Sequence, residues 1–583
     1  MMYMNNYEKD ILNIIYSSKF TNQRHLSKIS GYSLGIVNKS LKCLKENEYL
    51  NVHYEVTSKT INLFSKNKVN NAIILAAGFG MRMVPINTET SKGLIEIKGE
   101  KLIERLIKQL HEKNIFNIYI VVGFMKEQYE YLIDEYNVKL IVNSEYAHKN
   151  NLNSVKLASN YISNSYIIPC DLWCRYNPFH SHELYSWYMV ENSIDNDSTM
   201  RVNRKNELIP CLKNGNKMIG ISYLHENDIE SFMNNLNCLC ENPKNNDSFW
   251  EEALSTNNEI IVSPNVINQD EIIEINTYEQ LRELDSDSNN LQTDAIVTIK
   301  SALNTTSNEI KEIQILKKGM TNRSFLFTCK NEKYIMRIPG EGTDQLINRK
   351  QEANVYEVIK KEKISDPIIY INPNNGYKIT KYLENARVCD PLNEDDLKKC
   401  MKKLKDFHLL DLKVDHEFNL FDQIEFYESL WKEKSVFRDY EKVKEKIFNL
   451  KKYVNNQQIK KCLTHIDAVP DNFLFSNDDI YLIDWEYAGM QDPHVDLAMF
   501  SIYSFYDKEQ IDHLIDIYFD NQCEISTRIK IYCYVAICGL LWSNWCEYKR
   551  QLGVEFGEYS LRQYRYAKDY IKIVENERTK VYE

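Results

Sequence analysis

The spacing of hydrophobic positions changes twice along the chain and divides it into three segments. Residues 1–68 have apolar side chains three or four positions apart, as in 11–15 and 34–44, which predicts helices. A glycine-containing turn at 30–32 precedes the third predicted helix, and a short strand pair is predicted over residues 49–64. The first segment is therefore expected to fold as a small module of its own.

Residues 69–290 alternate short apolar runs with amphipathic stretches. Strands of the buried type are predicted at residues 72–76, 118–123 and 138–143, with helical stretches between them. Repeated strand-helix-strand order predicts a mostly parallel, doubly wound α/β sheet. In such a sheet the site lies at the carboxyl ends of the strands.

Residues 291–583 follow a polar stretch at 285–294 that is predicted to be a linker. A β-rich part comes first, and a long helical part continues to the C-terminus. This order predicts a bilobal α+β domain, so the whole chain is expected to be a multidomain protein of α/β and α+β parts.

Composition indicates a soluble protein without a membrane span. The chain is 43% hydrophobic and 27% charged, and no stretch approaches the roughly 18 uncharged apolar residues that a span requires. Glu8, Lys9 and Asp10 precede a short apolar run, which does not fit a secretory signal. The 14 cysteines form no CxxC pairs, as expected in a reducing cytosol. A cytoplasmic location is predicted.

Charge is distributed unevenly along the chain. The formal charge is −11, but residues 1–70 hold ten Lys/Arg against five Asp/Glu, a net +5, so the remainder carries −16. The overall acidity argues against nucleic-acid binding by the chain as a whole. The helix order of residues 1–68, with residues 49–64 as the wing, resembles a winged helix-turn-helix. Two interpretations stay open for it, DNA contact and a docking or dimerisation role.

A glycine-rich turn follows the first strand of the second segment. Gly78 and Gly80 in LAAGFGMR allow backbone N–H groups to wrap a triphosphate. Arg82 and Lys92 supply positive charge that can stabilise the negative charge building up on a leaving pyrophosphate. The pattern LAAGxGxRxxP, then Lys92 and Gly99, resembles the sugar-phosphate and phosphocholine nucleotidyltransferases. The resemblance implies a nucleotidyltransferase domain that uses CTP.

This resemblance also implies the metal and nucleotide ligands of the domain. Asp171, directly after the strand YIIP, matches the family aspartate that holds the catalytic Mg²⁺. A second family aspartate is replaced by Asn276 in EINTYEQL, which removes one negative charge but leaves a possible carbonyl ligand. Asn151 and Ser154 belong to a stretch that resembles the pyrimidine-side segment of phosphocholine cytidylyltransferases.

Aromatic and acidic residues of the same segment are candidates for binding phosphocholine. Cation-π and charge contacts from such residues can cage a quaternary ammonium group. The candidates are Trp173, Tyr223, Trp250 and Glu251. For each aromatic ring, core packing is the alternative.

Residues 464–486 read THIDAVPDNFLFSNDDIYLIDWE and combine a loop acid with metal ligands. The HxDxxxxN spacing lets Asp467 orient a substrate hydroxyl and accept its proton, and lets Asn472 reach a metal. Asp484 follows an apolar strand, at the place of the kinase metal-binding aspartate. The set resembles the aminoglycoside/choline kinase family, which implies a bilobal kinase-like fold, ATP and Mg²⁺.

The kinase resemblance extends to the nucleotide and the acceptor. The turn at residues 318–322, with Asn322, resembles the phosphate-covering turn of choline kinases. Arg337 and Glu352 resemble the nucleotide-gripping cation and its carboxylate partner. The residues that resemble a choline cage are Glu486, Trp542, Trp545 and Tyr564. Helix packing is the alternative for the tryptophan pair.

The two resemblances describe consecutive reactions. A choline kinase makes phosphocholine from choline and ATP, and a phosphocholine cytidylyltransferase joins it to CMP from CTP, giving CDP-choline. Two alternatives stay open. One is the same chemistry on ethanolamine, and the other is a DNA-binding metabolite sensor with degenerate enzyme domains, which Asn276 favours.

Overall fold

The computed structural model describes residues 4–18, 20–256, 259–316, 322–340, 346–457, 460–477 and 479–582. The chain forms two compact units, Met1–Ile296 and Val297–Glu583. The predicted turn at residues 318–321 and the side chain of Asn322 lie outside the described residues.

The first unit opens with four helices, α1 Asn6–Ser17, α2 Gln23–Ser30, α3 Leu34–Glu46 and α4 Ser58–Lys66. The strand pair predicted over residues 49–64 is wrong. Leu50 and Val56 form a single antiparallel bridge, and a helix follows it. The helix begins because the Thr57 side chain caps it, and Thr60 and Phe64 are buried at a four-residue spacing.

This helical segment packs against the segment that follows it. Leu184 joins its apolar core, and Lys68 forms an antiparallel bridge with His182. The hydroxyl of Tyr185 donates a hydrogen bond to Asp10 Oδ1 (2.7 Å), and burial raises the pKa of Asp10. Despite its positive charge, the segment therefore shares a compact unit with the α/β part.

The α/β part contains the remaining elements of the first unit. Its strands are β1 Asn71–Ala76, β2 Glu96–Ile97, β3 Glu100–Lys101, β4 Ile118–Val122, β5 Lys139–Val142, β6 Ser165–Pro169, β7 Leu172–Cys174, β8 Trp187–Asp195, β9 Met200–Val202, β10 Leu208–Pro210, β11 Gly215–Leu224, β12 Ser255–Thr256, β13 Glu259–Ile260, β14 Ser263–Ile267 and β15 Ile272–Glu274. Its helices are α5 Leu102–Glu112, α6 Tyr131–Tyr136, α7 Asn151–Leu157, α8 Glu226–Glu241, α9 Tyr278–Leu284 and α10 Asp294–Leu303, the last of which continues into the second unit.

Seven of these strands form one sheet in the order β14-β8-β11-β6-β1-β4-β5. Strand β11 runs antiparallel to both neighbours, and the other pairs are parallel. Successive residues of a strand point to opposite faces. Ile74 accordingly packs with α5 and α6, whereas Ile73 packs with α7 and α8. The doubly wound α/β prediction is confirmed.

The sheet brings two predicted motifs to one edge. Strands β1 and β6 are parallel neighbours, with Leu75 opposite Pro169. The glycine-rich turn follows β1, and Asp171 follows β6. The motifs meet at the carboxyl ends of the strands because parallel strands end on the same side.

The second unit begins with a sheet and continues into helices. Its strands are β16 Lys311–Ile315, β17 Asn322–Cys329, β18 Glu332–Pro339, β19 Ile368–Ile371, β20 Lys378–Lys381, β21 Arg387–Val388, β22 Cys462–Thr464, β23 Phe473–Ser476, β24 Asp479–Leu482 and β25 Gly489–Gln491. Its helices are α11 Arg349–Ile359, α12 Glu394–Leu409, α13 Leu420–Ser429, α14 Tyr440–Asn455, α15 His494–Tyr503, α16 Lys508–Tyr518, α17 Ile525–Gln551 and α18 Glu558–Tyr582.

A five-stranded antiparallel sheet in the order β16-β17-β18-β20-β19 forms the first lobe, and α11 follows β18. The apolar core of the second lobe runs through α12 to α18. The bilobal prediction is confirmed. Helix α17 is long and apolar enough to cross a membrane, but 78% of its most apolar window is buried within the protein, as in the core helix of a folded domain.

Candidate active sites

A glycine-rich turn shapes the pocket at the edge of the first unit's sheet. Gly80 has φ +59°, and a Cβ there would stand 3.3 Å from Lys92 Cβ, so glycine lets the turn pass close to the lysine. A Cβ on Gly78 would meet nothing within 4 Å, which leaves open space beside its backbone. The cavity in front of the turn measures about 400 Å³, enough for a small ligand. The predicted residues that line it are Gly78, Gly80, Lys92, Asn151, Ser154 and Asp171.

Lys92, which lines the pocket, and Arg82 converge on Asn276. Lys92 Nζ contacts Asp171 Oδ2 and donates a hydrogen bond to Asn276 Oδ1 at 2.8 Å. Arg82 donates a hydrogen bond to the same oxygen at 2.9 Å. The carbonyl of Asn276 therefore holds two cations in place, which differs from the metal-ligand role that the sequence predicts for it.

One carboxylate oxygen of Asp171 is left without a partner in the described part of the chain. Its Oδ1 is buried and accepts no hydrogen bond from the described residues. No three His, Cys, Asp or Glu side chains cluster as metal ligands in the part of the chain that the structure describes. A single carboxylate nevertheless fits Mg²⁺, which binds one or two carboxylates and completes its shell with phosphate oxygens and water.

Gln128 and Tyr129 hold the loop that carries Lys92, and neither is among the site residues that the sequence motifs predicted. Gln128 Oε1 accepts a hydrogen bond from Ser91 N at 2.9 Å, and its amide nitrogen donates to the Glu89 carbonyl at 2.9 Å. The hydroxyls of Ser91 and Tyr129 lie 2.6 Å apart and are buried. These contacts fix the backbone on the N-terminal side of the lysine.

The start of α7 forms another wall of the cavity. Asn151 Oδ1 accepts a hydrogen bond from Trp250 N at 2.9 Å, and Ser154 Oγ accepts one from Asn143 Nδ2 at 3.1 Å. Both predicted residues thus line the pocket, Asn151 held by a residue 99 positions away and Ser154 by one 11 positions away. Asn143 also lines the cavity and was not predicted.

The predicted phosphocholine cage of this unit is not assembled. Tyr223 and Trp250 are fully buried in two different core clusters. The Trp173 ring is faced by Lys98 Nζ at 5.0 Å and by the Arg105 guanidinium at 5.1 Å. These rings pack inside the protein and do not face a common ligand site, because burying an aromatic side chain is strongly favourable.

Glu251, the acid predicted for the same cage, lies beside the core. Its Oε1 accepts a hydrogen bond from the Tyr188 hydroxyl at 3.2 Å. Burial raises the pKa of Glu251 to about 7, although its own backbone and Tyr188 favour the ionised form.

In the second unit, the loop after β22 carries Asp467 and Asn472. The amide nitrogen of Asn472 donates hydrogen bonds to the backbone oxygen of Asp467 at 2.8 Å and to its Oδ2 at 3.1 Å. Because the amide nitrogen makes these hydrogen bonds, the amide oxygen of Asn472 is the atom that would coordinate a metal ion.

Asp496, which was not predicted, anchors this loop from the first turn of α15. Its carboxylate accepts hydrogen bonds from Ile466 N at 2.7 Å and His465 N at 3.0 Å. His408 Nε2 lies 3.0 Å from the same carboxylate. Ile466 has φ +71°, a conformation that β-branched residues rarely adopt, so the hydrogen bonds hold a strained backbone next to Asp467.

Two acids of this centre have raised pKa values. Burial raises the pKa of Asp467, and the charges of Asp484 and Glu486 raise it further. Burial and Asp484 raise the pKa of Glu486 to about 8, against the opposing effect of Arg337. Carboxylates crowded in this way are typical of sites that receive a cation.

Arg337 faces these acids from β18. Its NH2 lies 2.6 Å from Glu352 Oε1 on α11, and its NH1 lies 3.6 Å from Asp484 Oδ1. The arginine is 5% exposed and Glu352 1%. The structure thus joins the predicted cation, its carboxylate partner and one predicted metal ligand.

Aromatic rings of Tyr487, Trp542, Trp545 and Phe556 form a cluster, here called the aromatic wall, that adjoins Glu486. The Trp542 ring is 5.7 Å from Trp545 and 5.6 Å from Tyr487, the residue after Glu486. Phe556 continues the wall at 5.0 Å from Trp545. The two predicted tryptophans are brought together, and two further aromatic residues join them.

Two predictions for this wall differ from the structure. The Tyr564 ring stacks on Phe437 at 3.8 Å and its hydroxyl donates a hydrogen bond to Asp439 at 2.9 Å, so this side chain is already engaged by other residues. Glu486 adjoins the wall through Tyr487, but its carboxylate faces Arg337 at 3.8 Å. A cavity of about 700 Å³ lies beside Glu486 and Tyr487.

Comparisons with known proteins match each unit separately. The choline/ethanolamine kinase family model matches residues 313–537, and the MobA-like NTP transferase model matches residues 72–185. The chain is 30% identical over 261 residues to the protein LicA of Haemophilus influenzae, which covers 42% of this chain and 96% of that protein. It is 30% identical over 220 residues to the choline-phosphate cytidylyltransferase of Streptococcus pneumoniae, which covers 37% of this chain and 96% of that enzyme. The crystal structure of choline kinase LicA from Streptococcus pneumoniae is 31% identical and covers 47% of this chain and 96% of that one, with a TM-score of 0.43.

Proposed function

The chain belongs to the choline/ethanolamine kinases through its C-terminal half and to the choline-phosphate cytidylyltransferases through its N-terminal half, and from this premise we propose that it makes CDP-choline from choline in two steps. The observation that carries the proposal is that one chain holds both sites, and the product of one is the substrate of the other. The two activities then form a short sequence in one polypeptide.

In the first step, Asp467 orients the hydroxyl of choline toward the γ-phosphorus of ATP. The new bond joins the choline oxygen to phosphorus, the bond to the β-phosphate oxygen breaks, ADP leaves, and the hydroxyl proton passes to Asp467. Arg337, held by Glu352 at 2.6 Å, supplies positive charge to the phosphates. Mg²⁺ bound by Asn472 and Asp484 would supply further charge neutralisation.

In the second step, a phosphate oxygen of phosphocholine attacks the α-phosphorus of CTP. The bond between the α- and β-phosphates breaks and pyrophosphate leaves. Lys92 and Arg82, both held by Asn276, stabilise the negative charge that develops on the leaving pyrophosphate. Mg²⁺ held by the free oxygen of Asp171 would polarise the nucleotide phosphates.

The aromatic wall of the second unit supports choline as the acceptor. A trimethylammonium group cannot donate hydrogen bonds, so it is recognised by aromatic faces and nearby carboxylates. Trp542 and Tyr487 pack ring against ring, Trp545 adjoins Trp542, and Tyr487 lies beside Glu486 and within the electrostatic influence of Asp467, so we infer that this group binds the trimethylammonium. Ethanolamine, which donates three hydrogen bonds, gains less from such a wall.

Phosphorus NMR of the purified full chain with ATP, CTP and Mg²⁺ tests the proposal. With choline, signals of phosphocholine and ADP are expected first, followed by CDP-choline and pyrophosphate. Ethanolamine supplied in place of choline should react more slowly. Consumption of neither nucleotide, or faster turnover of ethanolamine, would contradict the proposal.

Two variants assign each step to its site. Asp467→Ala should stop the use of choline but still convert supplied phosphocholine to CDP-choline. Asp171→Ala should do the reverse and accumulate phosphocholine. A sensor without turnover is not favoured, because the acids of both sites are in place; retention on DNA without reaction in this assay would be its signature.

A further inference from the structure

A second arginine shares the carboxylates that hold Arg337. Arg349, at the start of α11, is 5% exposed. Its NH1 lies 3.1 Å from Glu352 Oε2 and 3.7 Å from Glu486 Oε2. Arg337 approaches the same two glutamates, at 2.6 Å and 3.8 Å. The two arginines and two glutamates thus form a network in which each arginine contacts both glutamates.

The turn before β20 is shaped around both arginines. Gly376 has φ +71°, and a Cβ on it would stand 2.7 Å from Arg349 Cδ and Nε. The carbonyl oxygen of Gly376 accepts a hydrogen bond from Arg337 NH2 at 3.2 Å. A side chain at this position would collide with Arg349, so the glycine leaves room for it as well as for the turn.

The network spans both lobes of the kinase-like unit. Arg337 is on β18 and Glu352 on α11, in the first lobe, whereas Glu486 follows β24 in the segment that also carries Asp484. Arg349 adds a link from α11 to that segment. Buried charges of this kind are held in one geometry when every carboxylate has a cation on each side.

We propose that Arg349 is a positioning residue for the nucleotide-binding Arg337. It pairs with the second oxygen of Glu352 and shares Glu486 Oε2 with Arg337, which weakens the pull of these carboxylates on Arg337 and lets its NH1 turn toward the phosphates. Without Arg349, two buried carboxylates would compete for the single guanidinium of Arg337 and draw it back from ATP. The proposal rests on the kinase activity proposed above, and no sequence motif identified Arg349.

The test is Arg349→Met in the full chain, with steady-state kinetics of both steps. The KM for ATP should rise about tenfold, the expected effect of weakening one charge-assisted contact. The KM for choline should change less than twofold, and the CTP-dependent step should be unaffected. Arg349→Lys should recover part of the ATP affinity, because a lysine carries the charge but lacks the fork that reaches two carboxylates.

Arg528→Met is the matched control. Arg528 on α17 also lies between two carboxylates, Asp512 (3.1 Å) and Asp516, both on α16. These three residues are outside the network. The Arg528→Met substitution should leave the KM for ATP unchanged. Titration calorimetry of ATP binding to each variant, with thermal unfolding as a check on folding, reports the effect even without an acceptor.

Three results would overturn the proposal. They are an unchanged ATP affinity in folded Arg349→Met, an equal loss for ATP and choline, and an equal effect of Arg528→Met. Should Arg349→Met fail to fold, Arg349→Lys decides by the same comparison. Failure of the kinase proposal itself would look different, because the unmodified chain would then bind ATP without phosphorylating choline.

Discussion

The two nucleotide sites of this chain balance charge in opposite ways. In the first unit Asp171 stands with two cations, Lys92 and Arg82, which meet at the neutral Asn276. Asp247 and Lys149 also line the cavity, and their charges offset each other. Positive charge therefore exceeds negative charge before any nucleotide binds.

In the second unit, carboxylates are in excess. Asp467, Asp484 and Glu486 crowd together and raise the pKa of Asp467 and Glu486, while Arg337 is tied to Glu352. A triphosphate that enters this site needs metal ions to offset both its own charge and that of the acids. From this difference we predict that the transfer of CMP would depend mainly on cations of the protein, whereas the transfer of phosphate would depend mainly on added metal ions.

Lys92→Met would break this comparison with the largest effect. The CTP-dependent step should lose about 10² to 10³ in kcat, the usual result of removing one charge-stabilising donor from a transition state. The ATP-dependent step of the same protein should be unchanged. Lys126→Met, at an exposed lysine paired with Glu127, is the control. A loss below tenfold would mean that Arg82 suffices without Lys92.

Trp542→Leu tests the aromatic wall, which only the second unit assembles. Removing a desolvated cation-π contact of about 1–2 kcal/mol should raise the KM for choline roughly tenfold. The KM for ethanolamine should rise much less, and the CTP-dependent step should stay the same. Equal changes for both alcohols would indicate that the ring serves packing alone.

Asn276→Asp would shift the first site toward the charge balance of the second. An added carboxylate near Asp171 should lower the Mg²⁺ concentration for half-maximal CTP-dependent activity by a few-fold. The Mg²⁺ dependence of the ATP-dependent step, measured in the same preparation, is the control. An unchanged or higher requirement would show that residue 276 acts on Lys92 and Arg82 without reaching the metal.

Glu251→Gln has the smallest expected effect, on stability. The pKa of Glu251 is raised to about 7 by burial, above the value of about 4.3 in an unfolded chain. The folded form therefore binds the proton more tightly, and its contribution to stability is present at low pH and lost as pH rises through 7. The variant should flatten the fall in melting temperature between pH 5 and 8. An equal fall in both proteins would contradict the burial of Glu251.

Motif residues of both sites could be predicted because each motif is local in sequence. Asp467 and Asn472 are five positions apart on one loop, and Gly78 and Gly80 belong to one turn, so spacing alone places them together. The aromatic candidates Tyr223 and Trp250 were placed wrongly, since an alternating strand or a short helix does not reveal which face meets the core. The strand pair of residues 49–64 failed for a similar reason, because a capping Thr57 starts a helix there.

The α/β and bilobal classes of the two units followed from hydrophobic periodicity, and the candidate residues of their loops from motif spacing, because both are properties of neighbouring residues. Tertiary structure alone decided the partners of those residues. Asn276 meets Lys92 across 184 positions, Tyr487 meets Trp542, and Arg349 shares Glu486 with Arg337. Contacts of this kind depend on how strands and helices pack, and burial then sets whether a side chain serves the core or faces a ligand.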